Sequence, residues 1–449
     1  MIAALIGTLA AIVTLTVAAA FVSRATDRRI VWRVSLAAAA LAALAVVVGV
    51  GVSLASQGLP AFATVGSLSA QAWLAPPRVL LGPVSLGLLP FLLLLLVVHV
   101  LMRPRAHATP RRLSRLLLMA AFSVASLVST HPLVLILGWF GTAYVLWREL
   151  RDTPLAAGTA RLFGGMQMLS LVAFASALLF GAFGDEWHRV ALIALVLAVV
   201  LRHGLLPGQL WVADLFQHGP LGASLYFATP LLGDVIVLRL FYGPFAVASA
   251  SAVGVLSVLA LATTLYAAGL AIVQREPRRT LAYLWLSQSS LVWVAIGASS
   301  SIGWLSAMIL GGVSAFASTG FGVTLWALEA RRGALDLERY HGGYERMPLL
   351  ATGFLVLGLG SVGLPGTLGF LGEELLGHAL GHDLVALSVV LIATALNGIT
   401  VMHVYFRLFC GAREPGPGSQ QLRARERIGI VALVALMIAS GFLPLLLFR

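Results

Sequence analysis

The chain has 449 residues, of which 60% are hydrophobic and only 10% are charged. Soluble domains carry about 25% charged residues, so this composition excludes a water-soluble protein. The net charge of +12 would suit a nucleic-acid partner, but the placement of the basic residues accounts for the charge without one. The single cysteine, Cys410, excludes an internal disulfide and a cysteine-bound metal or iron–sulfur centre. The sequence predicts no cofactor and no metal.

Apolar runs of 18 or more residues recur along the whole chain, and each is long enough to cross a hydrocarbon core of about 30 Å. The sequence therefore predicts an all-α polytopic membrane protein of about fourteen transmembrane helices. In chain order, the predicted helices span residues 2–22, 33–54, 79–101, 113–130, 132–148, 162–183, 188–205, 220–240, 246–273, 280–299, 302–328, 347–371, 384–408 and 427–448. The first run lacks the basic start and the cleavage pattern of a signal peptide, so it is interpreted as a retained helix.

The basic residues are all arginines, and they lie on one side of this predicted topology. All but five of the 29 fall in the loops that follow the odd-numbered helices. The exceptions are Arg78, Arg189, Arg202, Arg239 and Arg449. The positive-inside rule then places those loops in the cytoplasm and both termini on the non-cytoplasmic side of the cell inner (plasma) membrane.

Two predicted helices are interrupted by glycine and proline at matching places in the two halves of the chain. Leu206-Pro207-Gly208 interrupts helix 7, and residues 363–367 (Gly-Leu-Pro-Gly-Thr) interrupt helix 12. Such paired breaks are typical of inverted-repeat transporters, although a proline kink in a membrane helix can be purely structural. We therefore predict helices 1–3 in residues 1–110, two inverted five-helix repeats in residues 111–241 and 242–411, and a last helix in residues 412–449.

Ionisable side chains at membrane depth cost free energy unless they are paired or hydrated, so each is a candidate for function. Asp234 lies in an apolar run, and we predict that it pairs with Arg202 because their helices flank the same break. The alternative role for Arg202 is a structural clamp. The predicted proton or ion pathway comprises Glu373, Asp234, Arg202, His203, Arg278, Gln288 and His403. Glu373, which follows the second break, is predicted to carry the transported proton, and the alternative is a permanent structural pair with an arginine.

Five separated motifs resemble the proton-pumping antiporter-like subunits of respiratory complex I and their relatives in Mrp antiporters, most of all the M-type subunit. Residues 202–214 (RHGLLPGQLWVAD) and 220–224 (PLGAS) are similar to the K-x-P-x-x-P-x-H-x-W-L-P-D…P-x-x-G-S signature of that family. Residues 276–288 (EPRRTLAYLWLSQ) resemble D-x-K-R-x-x-A-Y-S-x-x-x-[HQ]. Residues 347–373 resemble the M-type twelfth helix, and residues 422–426 resemble the start of its last helix. The resemblance runs from about residue 85 to residue 449.

The chain departs from the family at several titratable positions. Phe140 stands where the family has the glutamate of its G-W-E pattern, and Arg202 corresponds to a lysine of helix 7. The lysine of helix 8 falls on Gly233, and Leu310 to Gly312 occupy the place of a histidine. Because an arginine cannot be deprotonated in a protein, these changes leave Glu373 as the residue of the second half that keeps the family's titratable character.

The resemblance implies a membrane subunit that translocates protons, or couples ion flux, in a multi-subunit complex resembling an NADH-quinone oxidoreductase. It implies no catalytic centre in this chain. The expected partners are other membrane subunits, a peripheral cytoplasmic subunit and the lipid bilayer. Two alternatives stay open, namely the membrane subunit of a proton-driven inorganic-carbon uptake complex and a non-pumping scaffold of the same fold.

Overall fold

The computed structural model describes residues 2–57, 68, 70–75, 83–228, 231–246, 248–412 and 421–442. Residues 79–82 and 443–448 of the predicted helices lie outside the described residues, as do Arg78, Arg413 and Arg449 of the topology prediction. The described residues form α-helices joined by short loops and two 3₁₀ turns, Arg105–His107 and Asp185–Trp187. The all-α prediction is confirmed.

The helices follow one another closely along the chain. The first nine are α1 (Ile2–Arg24), α2 (Arg28–Gln57), α3 (Ala70–Leu74), α4 (Pro83–Met102), α5 (Pro110–Val128), α6 (Pro132–Arg151), α7 (Ala157–Ala182), α8 (His188–His203) and α9 (Leu210–His218). The next nine are α10 (Leu221–Phe227), α11 (Leu231–Phe241), α12 (Ser249–Ile272), α13 (Pro277–Gly297), α14 (Ser301–Arg332), α15 (Pro348–Ser361), α16 (Leu368–Ala379), α17 (Leu384–Phe409) and α18 (Ala424–Gly441).

Prolines mark where several of these helices begin. Pro110, Pro132, Pro277 and Pro348 are each the first residue of a helix, namely α5, α6, α13 and α15. Proline suits this position because its fixed φ angle is helical and its missing N–H would have had no partner in the first turn. These four prolines therefore mark the residue at which each of these helices begins.

Nine helical stretches among the described residues are long and apolar enough to cross a membrane, judged by length and composition. Leu88–Met102 and Pro348–Ser361 are shorter apolar helices. The chain is therefore a multi-pass membrane protein. The count of fourteen membrane-spanning helices stays a prediction.

Both predicted helix breaks are present. Helix α8 ends at Gly204, whose φ of 73° lies in the left-handed region that favours glycine, and helix begins again at α9. The predicted twelfth helix consists of α15 and α16, separated by a turn that includes Gly363 with φ 79° and Gly366 with φ 84°. A residue with a side chain would be strained at these φ angles, so glycine is favoured where each helix is interrupted.

The chain divides into two compact units. The first comprises Met1–Trp211 and Tyr226–Ala252, and the second comprises Val212–Leu225 and Val253–Arg449. In the first, α1 packs closely on α2, since a Cβ at Gly7 would lie 2.4 Å from the carbonyl oxygen of Ala45. In the second, α13 and most of α14 are buried, together with their polar side chains. The four-part division predicted from the sequence groups helices in chain order, whereas these two units are compact in space. The four-part division stays a prediction.

Candidate functional site

Arg202 lies at the end of α8 in the first unit, and its guanidinium group is buried and fully engaged. Nη1 donates to the carbonyl oxygen of Trp139 at 3.1 Å and to Oε1 of Gln167 at 3.3 Å, and Nη2 donates to Oγ1 of Thr142 at 2.7 Å. The guanidinium carbon also lies 5.2 Å from the Trp139 ring and 4.3 Å from the Phe227 ring. This arrangement clamps α8 to α6 and α7 through a permanent positive charge.

The predicted pairing of Arg202 with Asp234 is wrong. The carboxylate of Asp234 lies against the next residue instead, with Oδ1 3.3 Å from Nδ1 of His203. The side chains of His203 and Asp234 are 8% and 4% exposed, respectively. Successive residues of a helix point about 100° apart, so only one of residues 202 and 203 can face α11, and it is the histidine.

Gly233 makes room for this imidazole ring. A Cβ at residue 233 would lie 2.4 Å from Nε2 of His203, a separation that real side chains do not adopt. A residue with a side chain at 233 would therefore displace His203 from Asp234. Gly233 stands at the position of the family's lysine, and the imidazole ring of His203 fills the space beside it.

Phe140 occupies a different environment from these buried groups. Its ring lines a cavity of about 310 Å³ together with Tyr144, Trp147 and Phe163, and it stacks on Tyr144 at 5.3 Å between ring centroids. The lining of this cavity contains no carboxylate. The aromatic side chain therefore replaces a titratable group with an apolar surface.

Glu373 lies on α16 of the second unit, beside the second helix break. Its side chain is partly buried, and its Oε1 atom is buried with no hydrogen-bond partner among the described residues. Thr394 of α17 interacts with the carboxylate group. A Cβ at Gly363 would lie 2.6 Å from Oε2, so the backbone of the break directly abuts the carboxylate. The alternative role of Glu373, a permanent structural pair with an arginine, is absent from the described residues.

Helix α14 closes one side of this carboxylate environment. The hydroxyl of Ser306 donates to the carbonyl oxygen of Gly372 at 2.9 Å, and a Cβ at Gly372 would lie 2.9 Å from Cδ2 of Leu310. Leu310, which stands where the family has a histidine, is therefore an apolar neighbour of α16. Helix α14 therefore packs against α16 at Gly372, the residue before Glu373.

The other predicted pathway residues of the second unit are Arg278, Gln288 and His403. Arg278 donates from Nε and Nη2 to the two carboxylate oxygens of Glu329, at 2.8 and 2.6 Å, and so joins α13 to α14. Gln288 is buried on α13, and its Nε2 atom has no hydrogen-bond partner in the described part of the chain. His403 is half-buried on α17.

One polar cluster was not predicted from the sequence. Asn397 of α17 donates to the hydroxyl of Ser287 at 2.8 Å, and that hydroxyl donates to the carbonyl oxygen of Thr264 at 2.9 Å. The three residues connect α17, α13 and α12 through buried polar groups. An asparagine inside the apolar run of α17 was the signal that could have identified the cluster.

A conservative substitution tests the clamp at Arg202. A lysine at this position presents one compact ammonium group, which cannot donate in the two directions that the guanidinium uses or stack in the same way. We expect Arg202→Lys to lower the free energy of unfolding by roughly 1–3 kcal/mol, since buried acceptors lose their donors. Thermal unfolding in detergent measures this, with Arg189→Lys at the exposed start of α8 as the control. Equal stability of the two variants would contradict the clamp.

The fold and these buried polar groups define the chain as a polytopic membrane protein of the ion-transporter type, with two interrupted helices and a carboxylate beside one of them. A model of the family described as NADH:quinone oxidoreductase/Mrp antiporter, TM, matches residues 115–397. Because this match covers more than half of the chain, the chain belongs to that family.

Relatives and solved structures agree with this assignment. The chain is 26% identical over 258 residues to NADH-quinone oxidoreductase subunit M of Rickettsia felis, covering 56% of this chain and 52% of that one. It is 27% identical over 270 residues to subunit N of Methylovorus glucosotrophus, covering 58% and 55%. The chain thus spans about half the length of the curated relatives it matches.

Two solved structures have the same fold. A chain of the Mrp complex from Dietzia sp. superposes with a TM-score of 0.84 at 17% identity and covers 100% of this chain and 96% of its own length. A chain of respiratory complex I from Thermus thermophilus gives a TM-score of 0.81 at 19% identity and coverages of 97% and 96%. The predicted antiporter-like fold is confirmed, and the chain is an antiporter-like membrane subunit.

Proposed function

We propose that this chain translocates protons in the plasma membrane as one subunit of a larger complex, and that the protons pass Glu373. The observation that carries the proposal is the environment of this carboxylate, which adjoins a break in a membrane helix. Backbone groups at such a break are open to water or ions at membrane depth. A carboxyl group with a buried, unpartnered oxygen is suited to taking up and releasing a proton there.

The first unit has a different role in this proposal. Its arginine, Arg202, keeps its charge and holds three helices together, and Phe140 is apolar, so neither passes a proton. Two titratable groups there, His203 and Asp234, contact each other. We propose that Gln288 and His403 line the path in the second unit, and that Arg278 shapes its wall through its ion pair with Glu329.

We propose that the energy for this transport comes from partners. We propose that these partners are other membrane subunits and a peripheral cytoplasmic subunit that carries out the driving reaction. The names of the relatives, NADH-quinone oxidoreductase subunits M and N, favour ion translocation over inorganic-carbon uptake. We also propose that residues 111–241 and 242–411 form two inverted five-helix repeats, since the helix breaks fall at matching places in them.

Reconstitution tests the proposed function. Liposomes are prepared with the chain alone, with its co-purifying subunits, and with those subunits without the chain, and a dye reports internal pH after the complex is energised. Proton movement is expected only in the complete assembly. If the complete assembly turns over without moving protons, the scaffold alternative replaces the proposal. If the assembly without the chain moves protons at the full rate, the chain is likewise a scaffold.

The orientation of the chain is open to a direct measurement. In a Cys410→Ser background, single cysteines are placed at Arg105 and at Glu186, which are both exposed and lie in loops of opposite predicted sides. A membrane-impermeant maleimide applied to intact cells is expected to label residue 186 and to spare residue 105, which reacts only after permeabilisation. The reverse pattern would overturn the proposed topology and the non-cytoplasmic termini.

A further inference from the structure

A cavity of about 540 Å³ lies in the first unit, where the end of α1, the start of α5 and the end of α6 meet. Its lining contains more cationic than anionic side chains. The charged residues that line it are Arg24, Arg111, Arg112, Arg115, Glu149 and Asp152. Four guanidinium groups against two carboxylates leave an excess of two positive charges in a cavity of ligand-binding size.

Two of these arginines are engaged within the protein and two are not. Arg115 donates to Asp152, and Arg112 lies 2.8 Å from Nδ1 of His107. Arg24 and Arg111 form no hydrogen bond or ion pair with any described residue. The N–H groups of the first turn of α5 also face this region, since residues 109–112 line the cavity and an N-terminal turn leaves its N–H groups without helical partners. The guanidinium groups of Arg24 and Arg111 and the first turn of α5 therefore lie around the same cavity.

An unpartnered acceptor lies in the same cavity. The side chain of Glu149 is 2% exposed, and its Oε1 atom has no hydrogen-bond partner in the described structure, with the nearest cation, Nε of Arg112, at 3.9 Å. A buried carboxylate oxygen without a donor carries an energetic cost.

The surface next to the cavity is apolar in the direction of the membrane. Val13, Val17, Phe21 and Arg24 lie within about 80° of one another around α1, and the first three are 58%, 63% and 55% exposed. An acyl chain that extended along this face from Arg24 would contact the apolar side chains of Phe21, Val17 and Val13. The ligand is therefore a membrane lipid and not a free anion, because only a lipid places a phosphate and an acyl chain on one molecule.

We propose that this cavity binds the headgroup of an anionic phospholipid of the phosphatidylglycerol type. The phosphate lies against Arg24 and Arg111, and an acyl chain follows the apolar face of α1. The loops that carry these arginines are those that the positive-inside rule assigns to the cytoplasm, where basic pockets between helices bind acidic lipids. The site is separate from Glu373 and does not depend on proton translocation.

Native mass spectrometry of the full chain in detergent tests the site with phosphatidylglycerol as the probe. The variant Arg24→Gln/Arg111→Gln removes the two free guanidinium groups. The control Arg28→Gln/Arg29→Gln removes the same charge from exposed residues at the start of α2 that do not line the cavity. We expect about 30-fold weaker binding for the first variant, from about 1 kcal/mol per arginine, and little change for the control.

Three results would overturn the proposal. Equal weakening in both variants would indicate diffuse surface charge, and displacement of the lipid by millimolar inorganic phosphate would indicate a free-anion site. Equal affinity for phosphatidylethanolamine would show that the excess positive charge of the cavity does not select an anionic lipid. Size-exclusion profiles of both variants check that a loss of binding is not a loss of fold.

Discussion

Glu373→Gln is expected to reduce proton flux through the assembled complex to the background of protein-free liposomes, with assembly unchanged. The amide keeps the size and the hydrogen-bonding capacity of the carboxyl group, but it does not titrate, so it cannot carry a proton past the helix break. Flux is measured with an internal pH dye in the reconstituted complex, and assembly is measured by co-purification of the subunits.

The adjacent residue supplies a matched control. Glu374 is exposed on α16 and lies 3.7 Å from His378 on the same helix, so Glu374→Gln removes the same charge one position along the chain. We expect this variant to keep its flux. Full flux in an assembled Glu373→Gln complex would exclude Glu373 as the proton carrier, and an equal loss in both variants would indicate a general effect of charge on α16.

Substitution of Gly363 would also affect the carboxylate of Glu373. It has φ 79°, and an added Cβ would lie 2.6 Å from Oε2 of Glu373. Its substitution would therefore alter both the turn and the position of the carboxyl group. The glycine that marks the break in the sequence is thus also the residue that lets the carboxylate approach the backbone.

The helix breaks and the position of Glu373 beside one of them could be predicted from the sequence, because they depend on local chemistry. Glycine and proline that occur close together disfavour a continuous helix, so Gly363 and Pro207 identify the interruptions without knowledge of the neighbours. An acidic residue a few positions beyond such a break is placed by helical geometry alone. The arginine distribution is likewise a property of loops, and it needs no tertiary contact.

The pairing of buried side chains could not be predicted in the same way. The expectation that Arg202 pairs with Asp234 rested on neighbouring helices, but the choice between residues 202 and 203 depends on how α8 is rotated about its axis. That rotation is fixed by the contacts of Arg202 with α6 and α7 and by the space at Gly233. A glycine in an apolar helix does not reveal which side chain fills its place.

Partners that are distant in sequence were missed for the same reason. Arg278 was identified as an intramembrane cation, but its partner Glu329 lies 51 residues further along the chain. The cluster of Asn397, Ser287 and Thr264 joins three helices through small polar groups that hydropathy averages conceal. Single-sequence patterns identify which residues are unusual, whereas the three-dimensional packing decides which of them meet.

His203→Leu is expected to destabilise the protein, because it removes the imidazole that contacts the buried carboxylate of Asp234. If the pair is ionised in the folded state, the loss of one partner costs roughly 3–5 kcal/mol of unfolding free energy. If both groups are neutral, the contact resembles an ordinary hydrogen bond between membrane helices, for which the average coupling is about 0.6 kcal/mol. The size of the effect therefore reports the protonation state of the pair.

A double-mutant cycle separates this contact from general packing. His203→Leu, Asp234→Leu and the double variant are unfolded in detergent, and the coupling free energy is taken from the four midpoints. We expect the double variant to be more stable than either single variant, since replacing both members of a buried pair by apolar residues removes the polar groups together. His218→Leu is the control, because His218 and Asp214 lie 2.9 Å apart but are 41% and 32% exposed, which limits their contribution to about 1 kcal/mol. If the two single effects at residues 203 and 234 simply add in the double variant, the two side chains are not energetically coupled.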